Sequence, residues 1–219
     1  MRNNFDRQLR LLGSEMREMG ALCEDAIALA AKALSEDSKE LAAKVPPIAS
    51  ALDRKERDVE NICLKLLLRQ QPVAGDLRQI SAALKMITDM ERIGDQAEDV
   101  AEIVSSMGPG PKPETELLSS MARSVIQMVT SSVDAYVNQD MELAAEVISQ
   151  DDRVDAYFEE VKKSLVEIIV REPDMGGYAL DMLMTGKYFE RIGDHATNIA
   201  EWVIYSVTGV HKSEELSAD

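Results

Sequence analysis

The segment Met90-Glu-Arg-Ile-Gly-Asp-Gln-Ala-Glu-Asp-Val-Ala-Glu102 returns 99 residues further on as Phe189-Glu-Arg-Ile-Gly-Asp-His-Ala-Thr-Asn-Ile-Ala-Glu201. Self-similarity at a fixed offset means that the chain is built twice, so its architecture is set by one supersecondary unit and its copy. The repeat is also an internal control. A carboxylate found at equivalent positions of both copies is less often accidental than one found once.

Only 4% of residues are aromatic, and the apolar positions recur at three and four rather than at two. That period reads as all-α. The seven prolines, Pro46, Pro47, Pro72, Pro109, Pro111, Pro113 and Pro173, fall where helices should break. Six helices are predicted, over 5–34, 38–69, 74–107, 114–137, 140–171 and 175–207. In the first, Leu9, Leu12, Met16, Met19, Leu22 or Cys23, Ala26 and Ala30 form the buried stripe. The second is interrupted by Val45-Pro46-Pro47, because an interior proline costs about 3 kcal/mol; a kink or restart is expected there.

The segment Gly108-Pro-Gly-Pro-Lys-Pro113 reads as a linker between repeats. The domains are then 1–107 and 114–208, with 209–219 as a solvated tail. Each half is an antiparallel three-helix bundle, its longest helix reaching roughly 50 Å at 1.5 Å per residue. Two such halves are expected to face each other across a pseudo-twofold axis, each covering the apolar face that the other leaves open.

Charge narrows the function. The 24 Lys and Arg residues against 40 Asp and Glu leave a net charge of −16, which argues against nucleic acid and anionic lipid as partners. Such acidity suits cations or a basic protein surface, and equally suits plain solubility. Cys23 and Cys63 are too few and too far apart for a zinc motif or a disulfide framework, so a reducing, cytoplasmic setting is expected. The N-terminus has no signal-peptide pattern, and no run approaches the roughly 18 apolar residues of a transmembrane segment.

The acids carry the chemistry. Glu91 and Asp95, and again Glu190 and Asp194, are four apart and therefore stacked on one helix face. A like-charge pair at that spacing costs only tenths of a kcal/mol when exposed, and proves little by itself. Gly94 and Gly193, each inside a helical pattern where glycine costs about 1 kcal/mol relative to alanine, point to close approach of a neighbouring helix. Asp53, Glu56 and Glu60 repeat as Asp152, Asp155 and Glu159 at the same offset, so two helices of each half bear acidic stripes. The stripe on the longest helices runs on to Asp99 and Glu102, and to Asn198 and Glu201.

Converging carboxylates must be protonated, paired or neutralised by a cation. Two readings stand: an ion-pair network with Arg54, Arg92, Arg153 and Arg191, or an all-oxygen metal site suited to Mg²⁺, Mn²⁺, Ca²⁺ or ferric iron. No Glu-x-x-His pair supports a ferritin-type centre, and His195 reads as a helix-surface side chain. Nucleophile elbow, P-loop and dinucleotide fingerprint are all missing from the sequence, which disfavours an enzyme. The competing reading is a metal-storage protein or metal-dependent phosphate-ester enzyme using the same carboxylates.

With its doubled Glu-Arg-Ile-Gly-Asp, the segment Gln71-Pro-Val-Ala-Gly-Asp-Leu-Arg78 and the opening Leu9-x-x-Leu12-Gly13-x-x-Met16-x-x-Met19-Gly20, the chain resembles the PhoU family of phosphate-transport accessory proteins. The resemblance implies a cytoplasmic regulator that restrains phosphate uptake and holds down the phosphate-starvation response. Its implied partners are the ATPase of the phosphate ABC transporter and the sensor kinase PhoR, with a second copy of the chain forming a homodimer. Some members bind multinuclear iron or other metals at the repeated motif, which implies Glu91, Asp95, Glu190 and Asp194 as ligands assisted by Asp53, Glu56, Asp152 and Asp155. Two departures concern geometry: the Pro46-Pro47 break, and a second inter-helix loop, Arg171-Glu-Pro-Asp-Met-Gly-Gly-Tyr178, that lacks Asp-Leu-Arg.

Overall fold

The computed structural model describes residues 2–70, 72–108 and 115–210. Helix α1 spans Arg2–Ser35, α2 is one turn at Lys39–Ala42, and α3 runs Val45–Gln70, followed by α4 at Ala74–Ser106. The second half has α5 at Thr115–Asn138, α6 at Met141–Arg171, a 3-10 turn at Pro173–Met175, and α7 at Gly176–Thr208. No strand occurs among the described residues. Residues 109–113 of the linker expected over 108–113, the tail beyond Val210 and Gln71 of the first inter-helix loop lie outside the described residues.

The helix predicted over 38–69 restarts, as the prolines require. Ser38 caps α2, its hydroxyl accepting from the Leu41 amide at 3.2 Å. After Ala42 the chain re-enters a helix at Val45, so Pro46 and Pro47 occupy the first turn of α3. There the missing amide protons would have had no intrahelical partner in any case.

Both halves turn from their first to their second helix by the same device. Asp37 (φ 51°) and Gln139 (φ 54°) adopt the left-handed conformation. The amides one residue on, of Ser38 and Asp140, donate to the carbonyls of Ala33 and Ala135 at 2.9 Å each, the long bond of a Schellman turn. Asp140 then caps α6 by accepting from the Leu143 amide at 3.0 Å.

Within each half the three long helices pack on one another, α1 with α3 and α4, and α5 with α6 and α7. Between halves, α4 packs along α7 and α1 along α5, counterpart on counterpart. The contacts run antiparallel: Asp89 meets His195, and Arg78 meets the carbonyls of Ser206 and Val207. Like elements facing one another antiparallel is what a pseudo-twofold axis perpendicular to the helices produces. Met86, Met90, Ile93, Ala97 and Val100 of α4, and Met182, Phe189, Ile192, Ala196 and Val203 of α7, are buried. In α1 the stripe is Leu12, Met16, Met19, Cys23, Ala26 and Ala30, all essentially inaccessible; Cys23 rather than Leu22 points inward. Both cysteines are buried as free thiols, and no described helix is long and apolar enough to cross a membrane.

Left-handed backbone costs a non-glycine residue roughly 1–2 kcal/mol, and Gln139 is exposed with its side chain free to be removed. Gln139→Gly is expected to stabilise the chain by about 1 kcal/mol, raising the thermal midpoint by about 2–4 °C for a chain this size. An unchanged or lowered midpoint in a calorimetric scan would contradict the turn geometry.

Candidate functional site

The site begins with the mid-helix glycines. A Cβ built on Gly94 would stand 2.6 Å from Leu52 Cδ1, so only a bare backbone lets α3 lie this close to α4. That approach carries Asp53, the next residue of α3, up to Glu91 and Asp95. One carboxylate oxygen from each of Asp53, Glu91 and Asp95 lies within 4.8 Å of the others. All three are half-buried.

The first group is short of positive charge. Burial raises the Glu91 carboxyl above its ordinary value, and Asp95, Glu56 and Asp53 push it further, with Arg92 opposing. Arg92 Nε lies 3.6 Å from Glu91 Oε2. Arg153 stacks over the Tyr157 ring instead. Arg191 reaches across the halves, where it opposes the rise that burial, Asp95 and Glu102 cause at Asp99. Arginine pairing therefore relieves the first group only in part. Glu56 sits at the edge, accepting from the Thr88 hydroxyl at 3.3 Å. Glu98 extends the acidic face, raised first by burial and then by Asp95 and Asp53.

The second group is built on the same plan with different residues. A Cβ on Gly193 would lie 3.3 Å from Asp151 Oδ1, and position 151 is the repeat equivalent of position 52. A carboxylate thus stands where the first half has Leu52. Burial pushes the Asp151 carboxyl up to about 6, reinforced by Asp194 and Asp155, with the nearby Thr197 hydroxyl opposing and Glu190 adding a smaller rise. Asp194 is raised by burial and then by Glu190, against Lys187, with Asp155 raising it and His195 opposing. Here the chain supplies its own cation, since Lys187 Nζ contacts the Glu190 carboxylate. Its repeat equivalent is Thr88, which carries no charge.

Glu190, Asp194 and Asp155 influence one another and Asp151 electrostatically, but the close three-carboxylate grouping found among the described residues is that of the first half. Asp152, Asp155 and Asp194 are exposed, and the more buried acid on α6 is Asp151. Asp151 and Asp155 are four apart, matching Glu190 and Asp194, and this spacing was the available signal. His195 is part of the seam between halves: its Nδ1 lies 2.8 Å from Asp89 Oδ1, which also accepts from Asn198 Nδ2 at 3.3 Å. The ring is half-buried, 22% exposed, so it lies at the margin of this seam.

The donor set of the first group fits a hard cation. Three carboxylate oxygens within 4.8 Å of one another match ligands that each reach an ion at about 2.0–2.6 Å, and oxygen-only donors suit magnesium, manganese, calcium or ferric iron.

The fold and the carboxylate groups define an all-helical, internally duplicated protein in which each half carries its acids where the middle and last long helices cross. The PhoU domain family model matches the chain twice, over residues 16–104 and 118–203. The chain belongs to the PhoU family. It is 33% identical over 210 residues to the phosphate-specific transport system accessory protein PhoU homolog of Clostridium acetobutylicum, spanning 95% of this chain and 96% of that one. The Pseudomonas aeruginosa protein of the same name is 34% identical over 208 residues, spanning 94% of this chain and 86% of that one. The crystal structure of PhoU from Pseudomonas aeruginosa superposes with a TM-score of 0.88 at 34% identity over 94% of this chain and all of that one. That of the phosphate transport system regulatory protein PhoU from Streptococcus pneumoniae gives 0.86 at 24% identity, over 94% of this chain and 98% of that one, a likeness of fold.

Ionisation of Asp151 is penalised in the folded chain but not in the unfolded one, where aspartate titrates near about 3.9. Between about pH 4 and 6 the folded state holds more protons, so stability falls as pH rises through that window and stays lower above it. In cation-free protein, Asp151→Asn is expected to raise stability at pH 7 by roughly 1 kcal/mol after allowance for solvent screening. The gain should shrink towards zero below pH 4. Urea unfolding at both pH values checks this, and a destabilised variant at pH 7 would contradict it.

Proposed function

We propose that this chain is a cytoplasmic regulator of phosphate uptake that acts by protein contact rather than by catalysis. In this reading it restrains the ATPase of a phosphate ABC transporter and, through the sensor kinase PhoR, holds down the phosphate-starvation response. The observation that carries the reading is the match, over almost the whole length of both chains, to proteins named as phosphate-specific transport system accessory proteins. A homodimer is the form proposed to bridge the two partners.

The acidic groups have a regulatory part in this proposal, with a hard cation held by Asp53, Glu91 and Asp95. A bound cation would supply the positive charge that the chain itself does not, drawing α3 and α4 together. The protein's own residues then do the rest: Gly94 admits the close approach, and Thr88 holds Glu56 at the margin. In the second half, Asp151, Asp155, Glu190 and Asp194 form the equivalent group, but Lys187 already neutralises part of it. The two halves are therefore unequal, the first being the stronger cation site.

Crosslinking in phosphate-replete cells, followed by purification of the tagged chain, is expected to recover the transporter ATPase and the kinase. Recovery should fall when the cells are starved of phosphate. Finding neither partner in either condition would overturn the adaptor role, and turnover of a phosphate ester abolished by Asp95→Asn would favour the enzyme reading.

A further inference from the structure

A cleft of about 390 Å³ opens between α1, α4 and α5, well away from the carboxylate groups. Arg10, Ser14 and Arg17 line it from α1 and Gln79 from α4, while Leu9 and Val137 form its apolar wall beside Gly13. Arg10, Gly13, Ser14 and Arg17 are spaced i, i+3, i+4 and i+7, one face of one helix. In a chain with 40 acidic residues, no carboxylate is part of this lining.

Two members of this lining, Arg17 and the backbone at Gln79, are fixed by α5. Arg17 Nε lies 3.5 Å from Asp134 Oδ1 at the rim, and its Nη2 donates to Asn138 Oδ1 at 3.3 Å. These two contacts from α5 orient the guanidinium without using its remaining hydrogens. The buried Tyr136 hydroxyl donates to the Gln79 carbonyl at 2.9 Å, fixing that turn of α4 against α5. A side chain at Gly13 would narrow the cleft, since its Cβ would rest 3.5 Å from Val137 Cγ1.

We propose that this cleft binds a phosphate group, free or as the head of a small ester. The two exposed arginines of the lining offer forked N–H donors, and a phosphate dianion has enough charge and acceptor oxygens to engage both at once. Ser14 and Gln79 add neutral hydrogen-bonding side chains to the same lining. The cleft is larger than a bare phosphate needs, and its Leu9 and Val137 wall takes the organic part of an ester. Asp134 competes with the ligand for Arg17 and so limits affinity. The site stands on its lining alone; its place in phosphate regulation rests on the reading above.

Calorimetric titration of the full chain with inorganic phosphate and with phenyl phosphate, at low salt, tests the proposal. Both are expected to bind, phenyl phosphate more tightly. Arg10→Gln and Arg17→Gln should each weaken binding about tenfold or more, and Asp134→Asn should strengthen it. Circular dichroism melts confirm that each variant is folded. No binding by either probe overturns the site, as does binding unchanged in both arginine variants. Binding that disappears when metal is removed by a chelator also overturns it, since the anion would then sit on a cation at α4. Phosphate binding together with failed recovery of the transporter ATPase and the kinase would leave the site standing and remove the adaptor role.

Discussion

The seam between α4 and α7 is the contact on which the rest of the molecule depends. Each half is a three-helix layer whose last helix, α4 or α7, packs both on its own partners and on its counterpart in the other half. Met86, Met90, Ile93 and Ala97 on one side, and Phe189, Ile192 and Ala196 on the other, are buried in the closed molecule, where α4 packs along α7. Burying a large apolar side chain is worth roughly 1.5–3 kcal/mol, whereas an exposed ion pair contributes about 0–1 kcal/mol. Apolar burial thus holds the halves together. The Asp89 to His195 pair and the Arg78 contacts to the end of α7 fix register along an interface that the core has already formed.

The same demand for close packing creates the electrostatic problem at the carboxylates. Gly94 and Gly193 let α3 and α6 lie against α4 and α7, and the acids that flank these glycines are carried together as a result. The raised carboxyls of Glu91 and Asp151, caused first by burial and then by repulsion from neighbouring acids, are therefore a consequence of backbone geometry. The two halves relieve it differently. The first places Leu52 over its glycine and leaves three acids with one nearby arginine, while the second places Asp151 there and answers with Lys187.

Most of the fold was legible because it is written in periodicity and punctuation. Helix ends follow the proline breaks to within one residue, except at the start of α1. The Pro46-Pro47 restart follows from proline's missing amide. Glu91, Asp95, Glu190 and Asp194 were legible because they recur at a fixed offset. Asp151 and Lys187 were not, because matching by repeat rewards identity, and their equivalents are Leu52 and Thr88. Helical phase would have found Asp151, four residues before Asp155. The Arg10 and Arg17 cleft depends on three helices meeting, which a one-dimensional pattern does not encode.

In the proposed reading Asp53, Glu91 and Asp95, with Arg92 as their one nearby arginine, take up a cation, while Lys187 neutralises part of the second group. Differential scanning calorimetry of the metal-stripped chain at pH 7, titrated with Mn²⁺, tests it most directly, because a ligand that binds only the folded state raises the melting midpoint with the logarithm of its concentration. The midpoint is expected to rise, an increase that Glu91→Gln abolishes and Glu190→Gln largely retains. A midpoint that ignores Mn²⁺, or a rise lost equally in both variants, would contradict it.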